Sequence, residues 1–260
     1  MSNDIPLGLA VQKRREEIAK FISRHEEVSI AQLTAAFAAW SEMTIRRDLA
    51  QLAEQGKIIL TRGGARILPS RFGLGEEVYS ARESQSRSGK MAIADKAVQL
   101  VEPNKGIFID SGTTAMAFAK LLPDVNMVVI TSAPNIALDI AMRLSKPQVV
   151  LLGGTLSRHS ISVTDPGVET QLSAFNIDTA FMGGSGFDER AGFSVGSQLD
   201  CRLKQAAISR SRRVVIMLDS SKFGVMLPYS YASLDDVDVV ISDAEFPESI
   251  RKKYPKVEFK

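Results

Sequence analysis

Six short apolar runs, separated by stretches with helical periodicity, constrain the fold of this 260-residue chain more than any other feature. The runs occupy residues 107–109, 127–130, 149–152, 180–182, 214–218 and 237–241. Apolar strands that alternate with helices typically form parallel sheets whose two faces are both covered. The second half of the chain is therefore predicted to have an α/β fold with a mostly parallel sheet.

Small or polar residues follow nearly every run, and ligands of open α/β sheets bind beyond the carboxyl ends of the strands. The predicted ligand site consists of Asp110, Ser111, Gly112, Thr113, Thr114, Gly153, Gly154, Gly183, Gly184, Asp188, Lys204 and Lys222. Residues 111–114 also open a predicted helix, whose amides and dipole favour an anion, and Lys222 brings a cation to the same edge. A phosphate fits this combination. The alternative is a purely structural role, because a glycine after a strand is usually only a turn and the Lys204 side chain could simply extend along apolar surface.

The first 68 residues show a different pattern, of three short helical segments in series. Helices are predicted over residues 11–24, from an N-cap at Ser29 onward, and over residues 41–52, with residues 26–28 ending the first of them. In the third helix Ile45, Leu49 and Leu52 recur at i, i+4 and i+7 and form one stripe that can be buried. Ser41 is the predicted N-cap of this helix, and Gly56 is its predicted stop.

Two β-prone runs follow the third helix and are predicted to form a hairpin that turns at Gly63 and Gly64. Three helices followed by a basic hairpin describe a winged helix-turn-helix, in which the third helix reads bases and the wing contacts phosphates. The predicted DNA-binding residues are Ser41, Met43, Thr44, Arg46, Arg47, Arg62 and Arg66. Taken alone, the third helix could also be an ordinary solvated amphipathic helix.

The two patterns divide the chain into a winged helix-turn-helix domain at 10–68 and an effector-sensing and oligomerisation domain at 79–260. Residues 69–78 are the predicted linker, because a proline and two glycines there resist both helix and strand. A polar stretch is expected up to Ser88, followed by an amphipathic helix over residues 90–101 with Ile93, Ala97 and Leu100 facing inward.

Composition indicates an ordinary soluble protein. The net charge is +2, and the excess lies in the first 68 residues, which contain ten Lys or Arg against eight Asp or Glu. The single cysteine, Cys201, excludes an internal disulfide framework and fits a reducing cytoplasm. No apolar run approaches the roughly 20 residues of a membrane span, and the first residues lack the pattern of a signal peptide. A cytoplasmic protein without a membrane partner is expected.

Motifs in both halves closely resemble those of the DeoR family of bacterial sugar-metabolism repressors. In the first half they are residues 43–49, Gly56 and residues 62–65; in the second half they are residues 110–114, 153–154, 178–181, 186–188 and 219–223. The chain differs from the family pattern in a turn lengthened by one residue at 38–40, in Ser132 for a frequent Asn, and in Asp200 for the usual Glu. The resemblance implies a sensor fold similar to ribose-5-phosphate isomerase and a phosphorylated sugar as effector.

The competing class is a sugar-phosphate isomerase or deaminase with a fused helical domain. Residues 184–188 resemble a loop of glucosamine-phosphate deaminases, and an Asp such as Asp110, Asp188 or Asp219 could act as a base. The histidine-containing segment of those enzymes does not follow, and His25 and His159 are the only histidines. No nucleotide-binding glycine motif and no metal-type spacing of Cys and His occurs either.

The prediction is therefore a regulator and not an enzyme, with no catalytic residue, no metal site and no cofactor. Its expected role is to repress a carbohydrate-utilisation operon under the control of a phosphorylated sugar. The expected partners are double-stranded operator DNA, that effector, and further copies of the chain in a dimer or tetramer, since two half-sites multiply specificity.

Overall fold

The computed structural model describes residues 7–25, 27–54, 58–61, 63–67 and 79–260. The chain divides into two compact units, Met1–Ser70 and Arg71–Lys260. The predicted linker at 69–78 and the predicted helix stop at Gly56 lie outside the described residues.

Three helices and a small antiparallel sheet form the N-terminal unit. The elements are α1 (Leu7–His25), β1 (Glu27–Ser29), α2 (Ile30–Ala36), α3 (Glu42–Glu54), β2 (Ile58–Thr61) and β3 (Gly64–Ile67). The predicted cap of α2 is confirmed, because the hydroxyl of Ser29 accepts the Gln32 amide while the Gln32 side chain accepts the Ser29 amide. The three predicted helices are confirmed, and the apolar stripe of α3 is buried with Ile18, Ile22 and Leu33 in one core.

The predicted turn at Gly63 and Gly64 was wrong. Thr61 pairs with Gly64, so that Gly64 belongs to a strand and only Gly63 of the two lies in the turn. Gly64 instead lies within β3, the central strand of the order β1-β3-β2, and pairs with Ser29. A Cβ on Gly64 would overlap the carbonyl oxygen of Val28. The glycine is therefore required by the close approach of β1, which was predicted only as a break between helices.

The turn at residues 37–40, which was predicted to be longer than in the family pattern, packs its two aromatic side chains against the core. Trp40 is half-buried, stacks on Phe37 with ring centroids 5.7 Å apart, and its amide donates to the Phe37 carbonyl at 3.0 Å. The turn therefore places the ring of Trp40 beside the helices, and its additional length relative to the family stays a prediction.

The C-terminal unit alternates helices and strands, as predicted. Its helices are α4 (Tyr79–Ser84), α5 (Arg87–Val98), α6 (Thr113–Lys120), α7 (Pro134–Arg143), α8 (Val168–Ser173), α9 (Gln198–Ser209) and α10 (Glu248–Lys253). Its strands are β4 (Gly106–Ile109), β5 (Val128–Thr131), β6 (Gln148–Leu151), β7 (Thr155–Ser157), β8 (Ser162–Thr164), β9 (Ile177–Gly183), β10 (Gly186–Asp188), β11 (Gly192–Val195), β12 (Ser211–Met217), β13 (Tyr229–Ala232), β14 (Val239–Ile241) and β15 (Glu258–Phe259).

Seven of these strands form one parallel sheet in the order β15-β14-β12-β9-β4-β5-β6. The six apolar runs provide six of the strands, which confirms the predicted sheet, and β15 adds an unpredicted strand at the edge. Alternate side chains of β12 enter opposite cores: Val214 and Ile216 pack with α8, α9 and α10, whereas Val215 and Met217 pack with α5, α6 and α7. Both faces of the sheet are therefore covered, because successive side chains of a strand point to opposite sides.

The segment before the sheet contains a helix for which no prediction was made. The stretch expected to be polar contains α4, and α5 begins at Arg87 and ends at Val98 rather than spanning residues 90–101. Ile93 and Ala97 are buried as predicted, while Leu100 is half-buried. Among the described residues, none of the helices is both long enough and apolar enough to cross a membrane.

Candidate functional site

The exposed face of α3 carries the residues predicted to read DNA. Ser41 caps the helix, since its hydroxyl accepts the Thr44 amide at 3.3 Å, and it lies 3.0 Å from the Thr44 hydroxyl. Met43 is 77% exposed, and Arg47 is exposed on the same helix. A helix that enters the major groove needs exposed hydrogen-bond donors near its N-terminus, such as the Ser41 hydroxyl and the Arg47 guanidinium.

The two arginines of α3 have different surroundings. Arg46 forms an ion pair with Glu42 one turn earlier, with Nη2 and Oε1 2.7 Å apart, and both side chains remain about half exposed. Arg66 is exposed on β3, at the wing, whereas Arg62 lies outside the described residues. Arg46 therefore has a carboxylate partner within α3, and the DNA contacts of both arginines stay a prediction.

A buried carboxylate fixes the orientation of α3 and was not predicted. Asp48 is 1% exposed and accepts hydrogen bonds from Arg14 Nε at 2.5 Å and Arg15 Nε at 2.8 Å, both on α1. The guanidinium of Arg14 also lies 5.3 Å from the ring centroid of Trp40. Burial raises the pKa of Asp48, but the hydrogen bonds and charges of the two arginines outweigh it and hold the pKa below its ordinary value. The signal was present in the sequence, because Asp48 follows Ile45 by three residues and so falls on the buried stripe.

A pocket opens at the carboxyl edge of the parallel sheet in the C-terminal unit. It is lined by Arg82, Gln85, Ser86, Lys90, Ser111, Gly112, Thr113, Thr114, Ser160, Gly183, Gly184, Ser185, Val195, Asp200, Lys204, Asp219, Ser221 and Lys222. Eight of the twelve predicted ligand-binding residues are in this lining. The edge therefore gathers loops that are remote in sequence, as expected for the carboxyl ends of parallel strands.

The other four predicted residues lie elsewhere, and their part in ligand binding stays a prediction. Gly153 donates its amide to the Gln171 side chain at 2.9 Å, and Gly154 packs its backbone against Thr164 with a φ of 142°. Asp188 accepts two amides within its own hairpin. The fourth, Asp110, lies beneath the pocket.

Asp110 and Lys204 form a buried ion pair, with side chains 1% and 8% exposed. Asp110 also accepts the Gly183 amide at 2.8 Å, and Lys204 donates to the Gly183 carbonyl at 2.9 Å. The ammonium of Lys204 lies 5.0 Å from the ring centroid of Tyr231, whose hydroxyl donates to the same carbonyl. Asp110 and Lys204, which were both predicted to bind the ligand, therefore belong to one hydrogen-bonded network that joins β4, β9 and α9. Lys204 lines the pocket, whereas Asp110 lies beneath it.

The turn into α6 is the part of the pocket that was predicted to bind an anion. Gly112 has a φ of 106°, which favours glycine, and α6 starts at Thr113. The first amides of a helix have no partner within the helix and carry the positive end of its dipole. The hydroxyls of Ser111, Thr113 and Thr114 belong to the same turn and line the pocket.

Lys222 is held at the pocket by a short 3-10 helix, Ser220–Lys222. The Asp219 carboxylate accepts the amide and the hydroxyl of Ser221, and the Asp243 carboxylate accepts the Ser220 amide at 2.7 Å. Two carboxylates therefore bind the backbone of the turn that precedes Lys222 and set the position of its ammonium.

One wall of the pocket, formed by Arg82, Gln85, Ser86 and Lys90, was not predicted from the sequence. Lys90 is 6% exposed and donates to the carbonyls of Arg82 and Gln85, the latter at 2.6 Å. A signal existed for Lys90 alone, because it precedes buried Ile93 and Ala97 by three and seven residues and so shares their helix face. With this wall, the lining contains four cations and the two carboxylates of Asp200 and Asp219. Asp110 beneath the pocket neutralises Lys204, so one cation remains in excess, which favours an anionic ligand. Within the described part of the chain, no group of His, Cys, Asp or Glu is placed to hold a metal ion.

The two units match two parts of one family of known sequences. Residues 14–71 match the family described as "DeoR-like helix-turn-helix domain", and residues 85–244 match "DeoR C terminal sensor domain". The first match contains α3 and the wing, and the second contains nearly all of the pocket lining.

Relatives of similar length align along nearly all of the chain. The HTH-type transcriptional regulator GlpR of Haloferax volcanii is 30% identical over 242 residues, which cover 93% of each protein. The HTH-type transcriptional repressor GlcR of Bacillus subtilis is 32% identical over 234 residues, which cover 89% of this chain and 88% of the relative. Among solved structures, ribose 5-phosphate isomerase A from Methanocaldococcus jannaschii is similar over 54% of this chain and 55% of its own, with 19% identity and a TM-score of 0.40.

Proposed function

The chain belongs to the DeoR family of helix-turn-helix transcriptional regulators, and we propose that it represses a carbohydrate-utilisation operon under the control of a phosphorylated sugar. The observation that carries the effector class is the convergence of the α6 N-terminus, with its three hydroxyl side chains, and Lys222 on one pocket. A helix N-terminus and an ammonium together suit the dianion of a phosphate monoester. We place this activity in the cytoplasm, where operator DNA and metabolites meet.

The sugar itself would occupy the part of the pocket next to the phosphate. Lys204, Asp200 and Asp219 line that space and offer both donors and acceptors to hydroxyl groups. Asp110 supports this arrangement from below by neutralising Lys204. The proposed site binds its effector without turnover, so incubation of the chain with sugar monophosphates should leave them unchanged.

The effector class can be tested with a panel of sugar monophosphates, each paired with its unphosphorylated parent. Calorimetry on the full chain should detect binding of at least one monophosphate, while its parent sugar binds much more weakly, because the parent leaves Lys222 without an anion. Equal affinity for both members of every pair would reject the proposed phosphate site.

Replacing Lys222 by alanine should lower the affinity for the bound sugar monophosphate about tenfold to a hundredfold, since one charge-assisted hydrogen bond is worth roughly 1.5 to 3 kcal/mol. At an effector concentration that just saturates the wild type, the effector response of operator binding should be lost with it. Lys120→Ala is the matched control, because Lys120 is an exposed lysine at the opposite end of α6. An intact response in Lys222→Ala, measured by operator titration with and without the sugar monophosphate, would show that the phosphate lies elsewhere.

Substitutions in α3 and in the wing should affect DNA binding in different ways. Arg47→Ala should lose roughly 1 to 3 kcal/mol of discrimination at particular base pairs, because an arginine that reads a base edge carries sequence information. Arg62→Ala should weaken binding to all sequences alike and lower the slope of log affinity against log salt by about one unit. Titrations of an operator duplex and its single-base variants at several salt concentrations measure both quantities. An unchanged sequence preference in Arg47→Ala would contradict the assignment.

We also propose a homo-oligomer of at least two subunits, joined through the C-terminal unit. Leu138 and Met142 on α7 and Leu151 on β6 are 61%, 86% and 45% exposed, and β6 is the last strand of the seven-stranded sheet. An apolar helix face beside a sheet edge fits a second copy of the same surface. Met142→Glu should therefore shift the full chain toward monomer in light scattering at tens of micromolar, whereas Met226→Glu, at another exposed methionine, should not. A monomeric wild-type chain under these conditions would exclude the proposal.

A further inference from the structure

The helix α4 is the first described element after the predicted linker, and it forms one wall of the pocket. Arg82 of α4 and the two residues that follow the helix, Gln85 and Ser86, all line the cavity. The first element described after the predicted linker therefore belongs to the ligand site and precedes the sheet in sequence.

Both ends of α4 are anchored to the rest of the C-terminal unit. At its start, the Tyr79 amide donates to the His159 carbonyl at 2.9 Å, and the Tyr79 hydroxyl accepts from the Asn135 side chain at 3.0 Å. At its end, the buried ammonium of Lys90 binds the carbonyls of Arg82 and Gln85. These polar contacts join α4 to α5, to α7 and to the turn between β7 and β8.

The side chain of Arg82 points toward the turn into α6, residues 111–114. Its Nη1 atom lies 4.0 Å from the point where a Cβ on Gly112 would sit. Its Nε atom is buried and has no hydrogen-bond partner among the described residues. A buried donor without an acceptor is costly, and a guanidinium presents its N–H groups in a fork that matches two oxygens of one phosphate.

We propose that Arg82 binds the phosphate of the effector together with the α6 turn, and that α4 transmits the occupancy of the pocket to the linker. This inference rests on the proposed function, because it assumes that the pocket binds a phosphorylated sugar. The phosphate supplies the acceptor that the Nε atom of Arg82 lacks, and it can do so only while α4 is docked against the pocket. The effector therefore stabilises the docked position of α4, and that position is continuous in sequence with the segment leading to the DNA-binding unit.

The proposed role of Arg82 differs from those of Lys90 and Lys222. Lys90 uses its ammonium to hold the carbonyls at the end of α4, and Lys222 is carried by a turn that belongs to the sheet. Loss of Lys222 weakens the phosphate site without altering the link between the site and α4. Loss of Arg82 removes both the contact to the phosphate and the link between the phosphate site and α4, because the Arg82 guanidinium reaches from α4 to the turn into α6.

The binding part can be tested by titrating the full chain with inorganic phosphate and with the panel of sugar monophosphates. Arg82→Gln should bind the monophosphate preferred by the wild type about tenfold or more weakly, and Arg82→Lys should recover only part of the loss, because an ammonium cannot form the paired bonds of a guanidinium. Thermal unfolding of each variant shows whether it is folded. Wild-type affinity in a folded Arg82→Gln overturns the role of Arg82 but leaves the proposed function intact if Lys222→Ala still loses affinity. Failure of the wild type to bind inorganic phosphate or any monophosphate overturns both.

The transmission part can be tested by hydrogen exchange of the full chain with and without the preferred monophosphate. The amides of residues 80–86 should exchange at least several-fold more slowly with effector, and this protection should be absent in Arg82→Gln at saturating effector. The control segment is α10, a helix of the same length near the end of the sequence, where exchange should not change.

Tyr79→Phe, which removes only the hydroxyl bonded to Asn135, should keep the effector affinity within about threefold but reduce the effector-induced change in operator affinity. Unchanged exchange of α4 in the wild type, or a full operator response in Tyr79→Phe, overturns the transmission role.

Discussion

Replacing Lys204 by methionine should destabilise the C-terminal unit by about 3 to 5 kcal/mol, because it leaves the carboxylate of Asp110 buried without its cation. The two side chains are almost fully excluded from solvent, and Asp110 retains only the Gly183 amide as a donor in the described structure. The double variant Asp110→Asn/Lys204→Met should regain most of the loss, since an uncharged amide replaces the isolated charge. The effector response should fail in both variants, because Lys204 lines the pocket.

The two units can be followed separately in one denaturation experiment. The single tryptophan, Trp40, belongs to the N-terminal unit, whereas all four tyrosines belong to the C-terminal unit. Lys204→Met should therefore shift the tyrosine-detected urea transition and leave the tryptophan-detected transition in place. Lys120→Met, at an exposed lysine, is the control and should change stability by about 0.5 kcal/mol or less. A shift in Lys204→Met no larger than in this control would show that the buried pair contributes little.

Replacing Asp48 by alanine should destabilise the N-terminal unit by roughly 2 to 4 kcal/mol. This is somewhat less than for a fully buried pair, because Arg14 and Arg15 are 15% and 24% exposed and regain some hydration. The loss should be visible in the tryptophan-detected transition, since Arg14 lies against Trp40. Glu42→Ala removes the exposed pair with Arg46 instead and should cost about 1 kcal/mol at most. Equal effects of the two substitutions would contradict the structural role of Asp48.

The same carboxylate should make the N-terminal unit sensitive to acid. Burial raises the pKa of Asp48, but the two arginines lower it further, so the folded-state pKa lies below the unfolded-state value. A depressed pKa contributes stability that is fully present above the unfolded pKa of about 3.9 and is lost as pH falls through the folded pKa. Stability measured by Trp40 fluorescence should therefore fall below about pH 4, and Asp48→Asn should flatten that part of the profile. If Asp48→Asn lost stability at acidic pH in the same way as the wild type, groups other than Asp48 would be responsible for that loss.

Local patterns in the sequence were sufficient for the elements and for much of the pocket. The spacing of Ile45, Leu49 and Leu52 placed α3 and its buried stripe, because the period of a helix is a property of neighbouring residues. The alternation of apolar runs and helices placed the parallel sheet, and the rule that loops meet at the carboxyl ends of parallel strands brought Ser111, Gly183 and Lys222 into one pocket. The family resemblance rests on the same contiguous motifs.

The errors and omissions arose where residues distant in sequence meet. The hairpin turn was misplaced because Gly64 is constrained by Val28, which lies on a strand 36 residues earlier, and not by the turn itself. The wall made by α4 was missed because no local signal connects Arg82 to Gly112.

Asp110 and Lys204 were both predicted as ligand contacts from their separate positions after a strand and on a helix. Only the pairing of β4 with β9, and the packing of α9 over β9, brings these residues 94 positions apart into one buried ion pair. Elements and motifs follow from short-range periodicity and steric limits, which the sequence displays directly. Which charges neutralise each other and which remain to face a ligand depends on three-dimensional proximity and burial, and these exist only once the chain has folded.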